Sequence, residues 1–452
     1  MTATIGQESA QWSSKLSFMF AAIGSSVGLG NLWRFSAEAG TNGGGAFIGL
    51  YLLCVLFIGI PAMMAEFLVG RAGSGNSAIY SAGDLARRSK RSPWWNIGGI
   101  LGVGSSFLIV SFYCVIAAWV MAYVPKFLTG AFDGQTPVEI AAQFGTLTSS
   151  PTDLIGWFLG FCGLTIWLVS RGVNRGLELT SKLLMPAFFL LLLGLSVFSL
   201  TSAWQSGGTR DALSFMFAPD FSKLSGSVAV SALGQAFFSL GIGMAIIITY
   251  GSYLPRTVSI PRAALIVGLS DTLVALVAGL AIFPIVFQFG LDFEAGAGLF
   301  FQTLPTALVT TPGGNLVGAA FFCMAFFAAL TTAVSLLEPL VAHVCEQFGL
   351  NKPKAALVCG AGMIALGLGC LLSSEFLDFL DTGLTAPIML PLSALGIVLL
   401  VGWRLDHAIT AKELGEQDLQ LGRILLLLVR YVAPVMISVI LVSGIVSKYF
   451  GD

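Results

Sequence analysis

The chain has 452 residues, 56% of them hydrophobic and only 10% charged, with 54 glycines and 35 phenylalanines, whereas a soluble domain carries roughly 25% charged residues. Such a composition belongs in a membrane, and at about 20 apolar residues per span the length accommodates roughly ten to twelve helices and no large soluble domain. The formal net charge of −1 offers no polyanion-binding surface, so nucleic acid is excluded as a partner.

The seven cysteines, Cys54, Cys114, Cys162, Cys323, Cys345, Cys359 and Cys370, sit in or beside apolar runs without a CxxC spacing, which argues against disulfides and metal–thiolate chemistry. The two histidines, His343 and His407, form no ligand cluster, so a metalloenzyme has no donor set. No cleavable signal is expected, because the first apolar stretch begins near Leu16 without a positive segment before it.

In chain order, apolar runs bounded by charges, Gly and Pro predict spans near residues 16–38, 45–70, 96–128, 153–170, 177–201, 227–254, 262–289, 316–345, 355–373, 382–403 and 424–447. The fold class expected is all-α integral membrane with eleven transmembrane helices in a single transporter domain, 1–452. Lys15 and the loops 71–91, 171–182, 256–262, 352–354 and 404–423 hold 16 of the 22 basic residues. The positive-inside rule therefore predicts a cytoplasmic N-terminus and an extracytoplasmic C-terminus. Arg34 and Arg430 fall inside spans.

The first span contains Gly24-Ser-Ser-Val-Gly28-Leu-Gly30-Asn31 and the sixth contains Ser239-Leu-Gly241-Ile-Gly243-Met244. Glycine costs about 1 kcal/mol relative to alanine in a helix. Paired interruptions in corresponding segments point to discontinuous helices at a binding site, although a lone glycine in such a helix also permits close packing. The matching placement predicts a 5+5 inverted repeat with helices 1 and 6 interrupted: 16–201 as the first repeat, 227–403 as the second, and 424–447 as an additional helix.

GSSVGLGNLWRF, followed by AGTNGGGAF, resembles the first-helix signature of the neurotransmitter:sodium symporter family. IPAMMAEFLVGR, FYCVIAAW, GQAFFSLGIGMAIIITYGSYL and AALTTAVSLLEPLVAH continue the match over nearly the whole chain. The span count is similar to that of bacterial hydrophobic amino-acid transporters of the family. An interrupted helix frees carbonyls for cations and N–H groups for an anion, and a hard cation takes oxygen ligands.

The resemblance implies two sodium ions. The first would be held by Ser26, Asn31, Ser239 and Asp271, and the second by the carbonyls of Gly24, Val27 and Ala328 with the hydroxyls of Thr331 and Thr332. Asp271 interrupts the apolar run LIVGLSDTLVALVAGLAIF, and an ionisable group at such depth is functional by default; a packing carboxyl is the alternative. Chloride-dependent relatives carry a neutral Asn at the matching position, so chloride independence is expected.

Gly28 stands where monoamine carriers place an aspartate, so the ligand should bring its own carboxylate. The resemblance sets that carboxylate on the N–H groups of Leu29 and Gly30 and the Tyr113 hydroxyl, and the ammonium near Phe238 and Ser239. Ser25, Ile109, Phe238, Gly241, Met244, Thr332, Ser335 and Leu336 would line the side-chain pocket, and Ser26 is also expected to bind substrate. These residues favour a neutral, hydrophobic amino acid, aromatic ones included, because Met adapts to irregular shapes. A sodium-coupled carrier of another carboxylate-bearing solute (glycine, a γ-amino acid, an osmolyte) and a non-transporting amino-acid sensor are the alternatives. No enzyme is expected, since no nucleophile–base pair is visible.

For the gates, the resemblance pairs Arg34 with Asp381; Glu38, at i+4 from Arg34, and Asp378 are competing local partners. On the opposite side the family ties an arginine before a tryptophan to an acid of the eighth helix. Trp12 and Glu346 match, yet GQESAQ precedes Trp12 with no basic residue. Either Lys15 substitutes, or Trp12, Ser252, Tyr253 and Glu338 hold that side. Glu66 is expected to accept from the freed backbone of an interrupted helix. The expected setting is a bacterial inner membrane, with the bilayer and a neutral amino acid as partners; oligomeric state is left open.

Overall fold

The computed structural model describes residues 12–291, 297–415 and 418–450, and among these every regular element is helical. In chain order the helices are α1 (Lys15–Ser26), α2 (Gly30–Thr41), α3 (Gly45–Ala72), α4 (Ala78–Arg88), α5 (Pro93–Leu128), α6 (Pro137–Thr148), α7 (Pro151–Ser170), α8 (Val173–Ser202) and α9 (Gly208–Phe217). They continue as α10 (Gly226–Ser239), α11 (Ile246–Ser252), α12 (Ile260–Gln288), α13 (Leu299–Val309), α14 (Gly314–Phe348), α15 (Lys352–Leu372), α16 (Ser374–Arg404), α17 (His407–Leu414) and α18 (Leu419–Tyr449).

Helix starts follow local side-chain chemistry. Ser14 accepts from the Ser17 N–H (3.1 Å), Ser225 from Val228 (3.2 Å), and Asn351 from Lys354 (3.2 Å). Thr136 and Glu139 cap α6 reciprocally. Wide π-type turns at Val55–Gly59 and Phe379–Met389 sit at Pro61 and Pro387, where a missing N–H and the ring's bulk disrupt regular hydrogen bonding.

Nine described helices are long and apolar enough to cross a membrane, and α1–α2, bent by 54°, makes a tenth. The expectation of eleven differs at the sixth span. There the chain is divided into α10 (14 residues) and α11 (7 residues), and neither piece alone reaches the length of a span. Short helices in the connections, α4, α6, α9 and α17, were not foreseen, because their mixed composition hides a helical period behind polar residues.

The breaks in α1–α2 and α10–α11 lie five spans apart, as a 5+5 inverted repeat requires. The long helix α14 packs along α5, and α1 lies against α8, α12 and α14. The interrupted elements are thus enclosed by continuous ones. By contrast, α18 leaves Val435, Val439, Val442 and Val446 exposed, a lengthwise apolar stripe at helical spacing.

Candidate functional site

The first break opens where α1 ends at Ser26 and Val27 turns extended (φ −70°, ψ 108°). At the second, Gly241 and Gly243 have φ of +67° and +81°, a region side chains rarely enter. A Cβ at Gly243 would also press on the Leu390 backbone. Ala245 holds φ +56° without that freedom. The freed backbone is satisfied from outside: Glu66 Oε1 accepts the Gly243 N–H (2.8 Å), and the Ser106 hydroxyl donates to the Met244 carbonyl.

Between the breaks lies a buried polar cluster. The Asn31 amide donates to Ser239 Oγ (3.0 Å), to Asp271 Oδ1 (2.8 Å) and to the Asp271 carbonyl (3.1 Å). The Ser239 hydroxyl donates to Asp271 Oδ2 (2.7 Å), and Asn31 Oδ1 accepts the Gly28 N–H (3.0 Å). Asn31 and Asp271 are completely buried. An apolar environment makes an unpaired carboxylate costly, so this cluster is where a cation would be most stabilised. The Ser25 and Ser26 hydroxyls instead turn back to the Ala22 carbonyl (2.8 and 3.4 Å).

A second group of oxygens forms where α1 meets α14. The Thr332 hydroxyl donates to the Val27 carbonyl (3.3 Å), and the Thr331 hydroxyl to the Ala328 carbonyl (3.0 Å). Gly24 faces α8, where an added Cβ would lie 3.1 Å from Met185 Sδ.

A cavity of about 30 Å³ separates the two groups, lined by Ser25, Ser26, Gly28, Leu29, Gly30, Ile109, Tyr113, Phe238, Ser239, Gly241, Met244, Ile246, Thr332 and Leu336. Every expected pocket residue is there except Ser335, which is engaged elsewhere: its hydroxyl meets that of Tyr250 (2.7 Å) and donates to the Thr331 carbonyl (2.7 Å). Ile246 is an addition; it starts α11, and nothing in its apolar surroundings in the sequence distinguished it. The Tyr113 hydroxyl is buried without a hydrogen-bond partner among the described residues. A Cβ on Gly28 would lie 2.7 Å from Thr332 Oγ1, so the glycine keeps the space beside that hydroxyl.

At the Arg34 end a cavity of about 570 Å³ lies above this pocket, bounded by Arg34, Glu38, Phe238, Asp381, Ser443 and Lys448 among others. The Arg34–Asp381 pairing is not formed. The Arg34 guanidinium carbon sits 4.4 Å from the centre of the Phe238 ring, and Asp381 Oδ1 is buried without a partner. The helical alternative is not formed either, since Glu38 accepts from Asn42 (3.1 Å) and Ser231. Asp378 is exposed. The Phe238 ring face, to which a guanidinium is attracted, is the contact Arg34 makes in this arrangement.

The Trp12 end is packed. Trp12 is buried, its indole N–H donating to the Tyr250 carbonyl and its backbone N–H to the Tyr253 carbonyl, both at 3.4 Å. The Tyr253 hydroxyl donates to Glu338 Oε1 (2.7 Å), which also receives the Lys352 ammonium. Lys15 does not substitute for the absent arginine: it is exposed and makes no ion pair among the described residues. Ser13 does the local tethering, its backbone N–H donating to Glu178 (3.1 Å). Among the described residues Glu346 makes no hydrogen bond or ion pair with Trp12 or the residues after it; it accepts the Asn76 and Ser77 N–H groups (2.9 Å each) and so fixes the loop after α3. The Ser252 hydroxyl donates within α11 to the Thr249 carbonyl (2.7 Å).

Two basic residues find roles that the sequence did not assign. Arg71, buried at the end of α3, pairs with Glu413 of α17 (2.7 Å). Arg430 donates to the Gly402 carbonyl (2.6 Å), while Trp403 donates to the Arg430 carbonyl (2.8 Å), joining α16 to α18.

Residues 9–136 and 147–450 match the model of the sodium:neurotransmitter symporter family. The chain is 37% identical over 81% of its length to the uncharacterized sodium-dependent transporter YhdH of Bacillus subtilis (strain 168), covering 79% of that protein. It is 32% identical over 96% of its length to an uncharacterized sodium-dependent transporter of Haemophilus influenzae, covering 98% of it. The solved structure of MhsT in complex with L-phenylalanine superposes with a TM-score of 0.86 at 37% identity, over 97% of this chain and all of that one. Fold, glycine breaks and buried oxygen clusters thus occur together in a chain that belongs to the sodium:neurotransmitter symporter family, a family of sodium-dependent transporters and not of enzymes.

Proposed function

We propose that the protein couples sodium entry to the import of a neutral, hydrophobic L-amino acid, independently of chloride. The observation that carries this reading is the buried, unpartnered Tyr113 hydroxyl beside the N-terminus of α2. A donor and a positive helix end converge there on a space bounded by apolar side chains. A carboxylate placed at that point satisfies both, and the apolar lining is left for the substrate's side chain. The L-phenylalanine bound by MhsT is a ligand of this chemistry. At about 30 Å³ the pocket must widen to admit one, and Phe238 and Met244, two flexible lining groups, are the side chains that yield.

Asp271, Asn31, Ser239 and Ser26 are assigned to one sodium ion. Val27, Ala328, Thr331, Thr332 and Gly24 are assigned to a second. Asp271 supplies a fixed negative charge beside the first ion, and this is the physical basis for chloride independence. Alternating access would open the Arg34 end outward and the Trp12 end to the cytoplasm, in a bacterial inner membrane whose lipid covers the valine stripe of α18.

Uptake of radiolabelled amino acids into proteoliposomes tests the reading. The expected result is accumulation of Leu, Ile, Val, Met or aromatic amino acids with an inward sodium gradient, none with potassium, and no change when gluconate replaces chloride. Failure of all of them to accumulate, with monodisperse protein, overturns the substrate assignment.

A further inference from the structure

Helix α4 ends in a turn with an unusual closing residue. The Lys90 N–H donates to the Arg87 carbonyl (2.9 Å) and the Arg91 N–H to the Ala86 carbonyl (2.8 Å), the pattern in which glycine ordinarily takes the left-handed position. Here Lys90 takes it, at φ +54°, where a side chain carries a steric cost. The turn gathers Arg87, Arg88, Lys90 and Arg91 within residues 87–91. Arg88 is engaged by the Ala72 carbonyl (2.6 Å) and by Asp84 (3.3 Å). Arg87, Lys90 and Arg91 are exposed and make no ion pair or side-chain hydrogen bond among the described residues. Tertiary packing adds a further cation. Ser89 Oγ accepts the Asp406 N–H (3.0 Å), which draws the end of α16 to this turn, and Arg404 there is likewise exposed and unpaired among the described residues. The acids of these two segments are occupied, Asp84 by Arg88 and Asp406 by the Ala408 N–H that it caps (2.8 Å).

An apolar line begins where the basic turn stops. Trp94 is 78% exposed, and Ile97 and Ile100 continue along α5 at spacings of one helical turn, 45% and 42% exposed. Helix α5 is long and apolar enough to cross a membrane, so the line runs from headgroup depth, where an indole ring is at home, into hydrocarbon. Cations without protein partners, continuous with such a line, complement a phosphodiester anion that carries acyl chains. A soluble anion leaves the apolar line without a partner, and a zwitterionic lipid does not balance the excess positive charge. We infer that the corner between α4 and α5, with the end of α16, binds an anionic phospholipid of the inner leaflet: its phosphate lies among Arg87, Lys90, Arg91 and Arg404, and a chain follows Trp94, Ile97 and Ile100. This inference rests on the proposed cytoplasmic placement of the loop after α4.

Native mass spectrometry of the delipidated full-length protein, titrated with phosphatidylglycerol or phosphatidylcholine, tests the site without requiring transport. Wild-type protein is expected to bind phosphatidylglycerol more tightly than phosphatidylcholine, and less tightly as salt rises. The Arg87→Gln/Lys90→Gln/Arg91→Gln variant should lose about 100-fold in phosphatidylglycerol affinity, whereas Arg87→Lys/Arg91→Lys, which keeps the charge, should stay within about threefold of wild type. Arg171→Gln/Arg175→Gln/Lys354→Gln removes three exposed cations elsewhere and should leave that affinity unchanged. Excess glycerophosphoglycerol, the headgroup without chains, should not displace the lipid. Equal losses in the two glutamine variants, retention by the first of them, or displacement by the soluble headgroup overturns the site. Labelling of Lys90→Cys by a membrane-impermeant maleimide, above the wild-type background and only in opened cells, supports the inner leaflet. Labelling in intact cells overturns that placement, and with it the topology on which it rests, separately from the binding result.

Discussion

Charges at the Arg34 end face a cavity of about 570 Å³, with an arginine over an aromatic ring and an aspartate oxygen without a partner. At the Trp12 end Glu338 is engaged by Tyr253 and Lys352, Glu346 by two backbone N–H groups, and Arg71 by Glu413. An arginine stacked on a ring contributes about 0.5–2 kcal/mol, an amount easily exchanged for an ion pair. Breaking one partner of a buried, hydrogen-bonded pair costs about 3–5 kcal/mol. One end is thus ready to rearrange around a ligand, while the other is held shut by contacts that must be undone together.

The largest expected effect lies between the ends. Asp271→Ala takes from Asn31 and Ser239 the carboxylate they donate to in a buried site; a penalty of about 3–5 kcal/mol weakens sodium-dependent substrate binding by roughly 10²- to 10⁴-fold, measured by scintillation proximity. Binding within about threefold of wild type would remove Asp271 from the ion site. Trp12→Ala breaks the comparison directly: a buried Trp→Ala change costs about 3–5 kcal/mol, charged here to the closed state of one end. Uptake should collapse while equilibrium substrate binding falls far less, and α11 amides should exchange faster; unchanged exchange counts against Trp12 as a closure.

Gly28→Ala places a methyl 2.7 Å from Thr332 Oγ1. Overpacking of about 1–3 kcal/mol should weaken amino-acid binding by roughly 5- to 150-fold, and unaltered affinity would put the ligand elsewhere. Arg34→Gln, the smallest change, should speed substrate release toward the Arg34 end by roughly two- to thirtyfold, from the loss of about 0.5–2 kcal/mol. Asp381→Asn should leave the unliganded conformation as it is. If it instead matches Arg34→Gln in release rate, the two residues pair in the substrate-bound state.

Much of the site was legible before any coordinates. The pocket residues were foreseen through family motifs, and twelve of the thirteen named line the cavity. Ser335 escaped because its hydroxyl, on the same helix as Thr332, turns to Tyr250, a neighbour that helical spacing alone cannot supply. The Lys352–Glu338 pair was missed for a related reason: it spans a tight turn between two helices, outside the i, i+4 spacing by which ion pairs are read from sequence.

The sequence by itself determined the membrane class, the placement of most spans, both glycine breaks and the buried Asp271. Each of these follows from local composition or from the cost of one residue type in one environment. Only the tertiary structure decided which acid each cation meets, that the sixth span divides into two short helices, and that one end is open while the other is filled. Several acids compete for Arg34 and for the Trp12 segment, and the choice among them depends on distances between elements hundreds of residues apart, which no local pattern encodes.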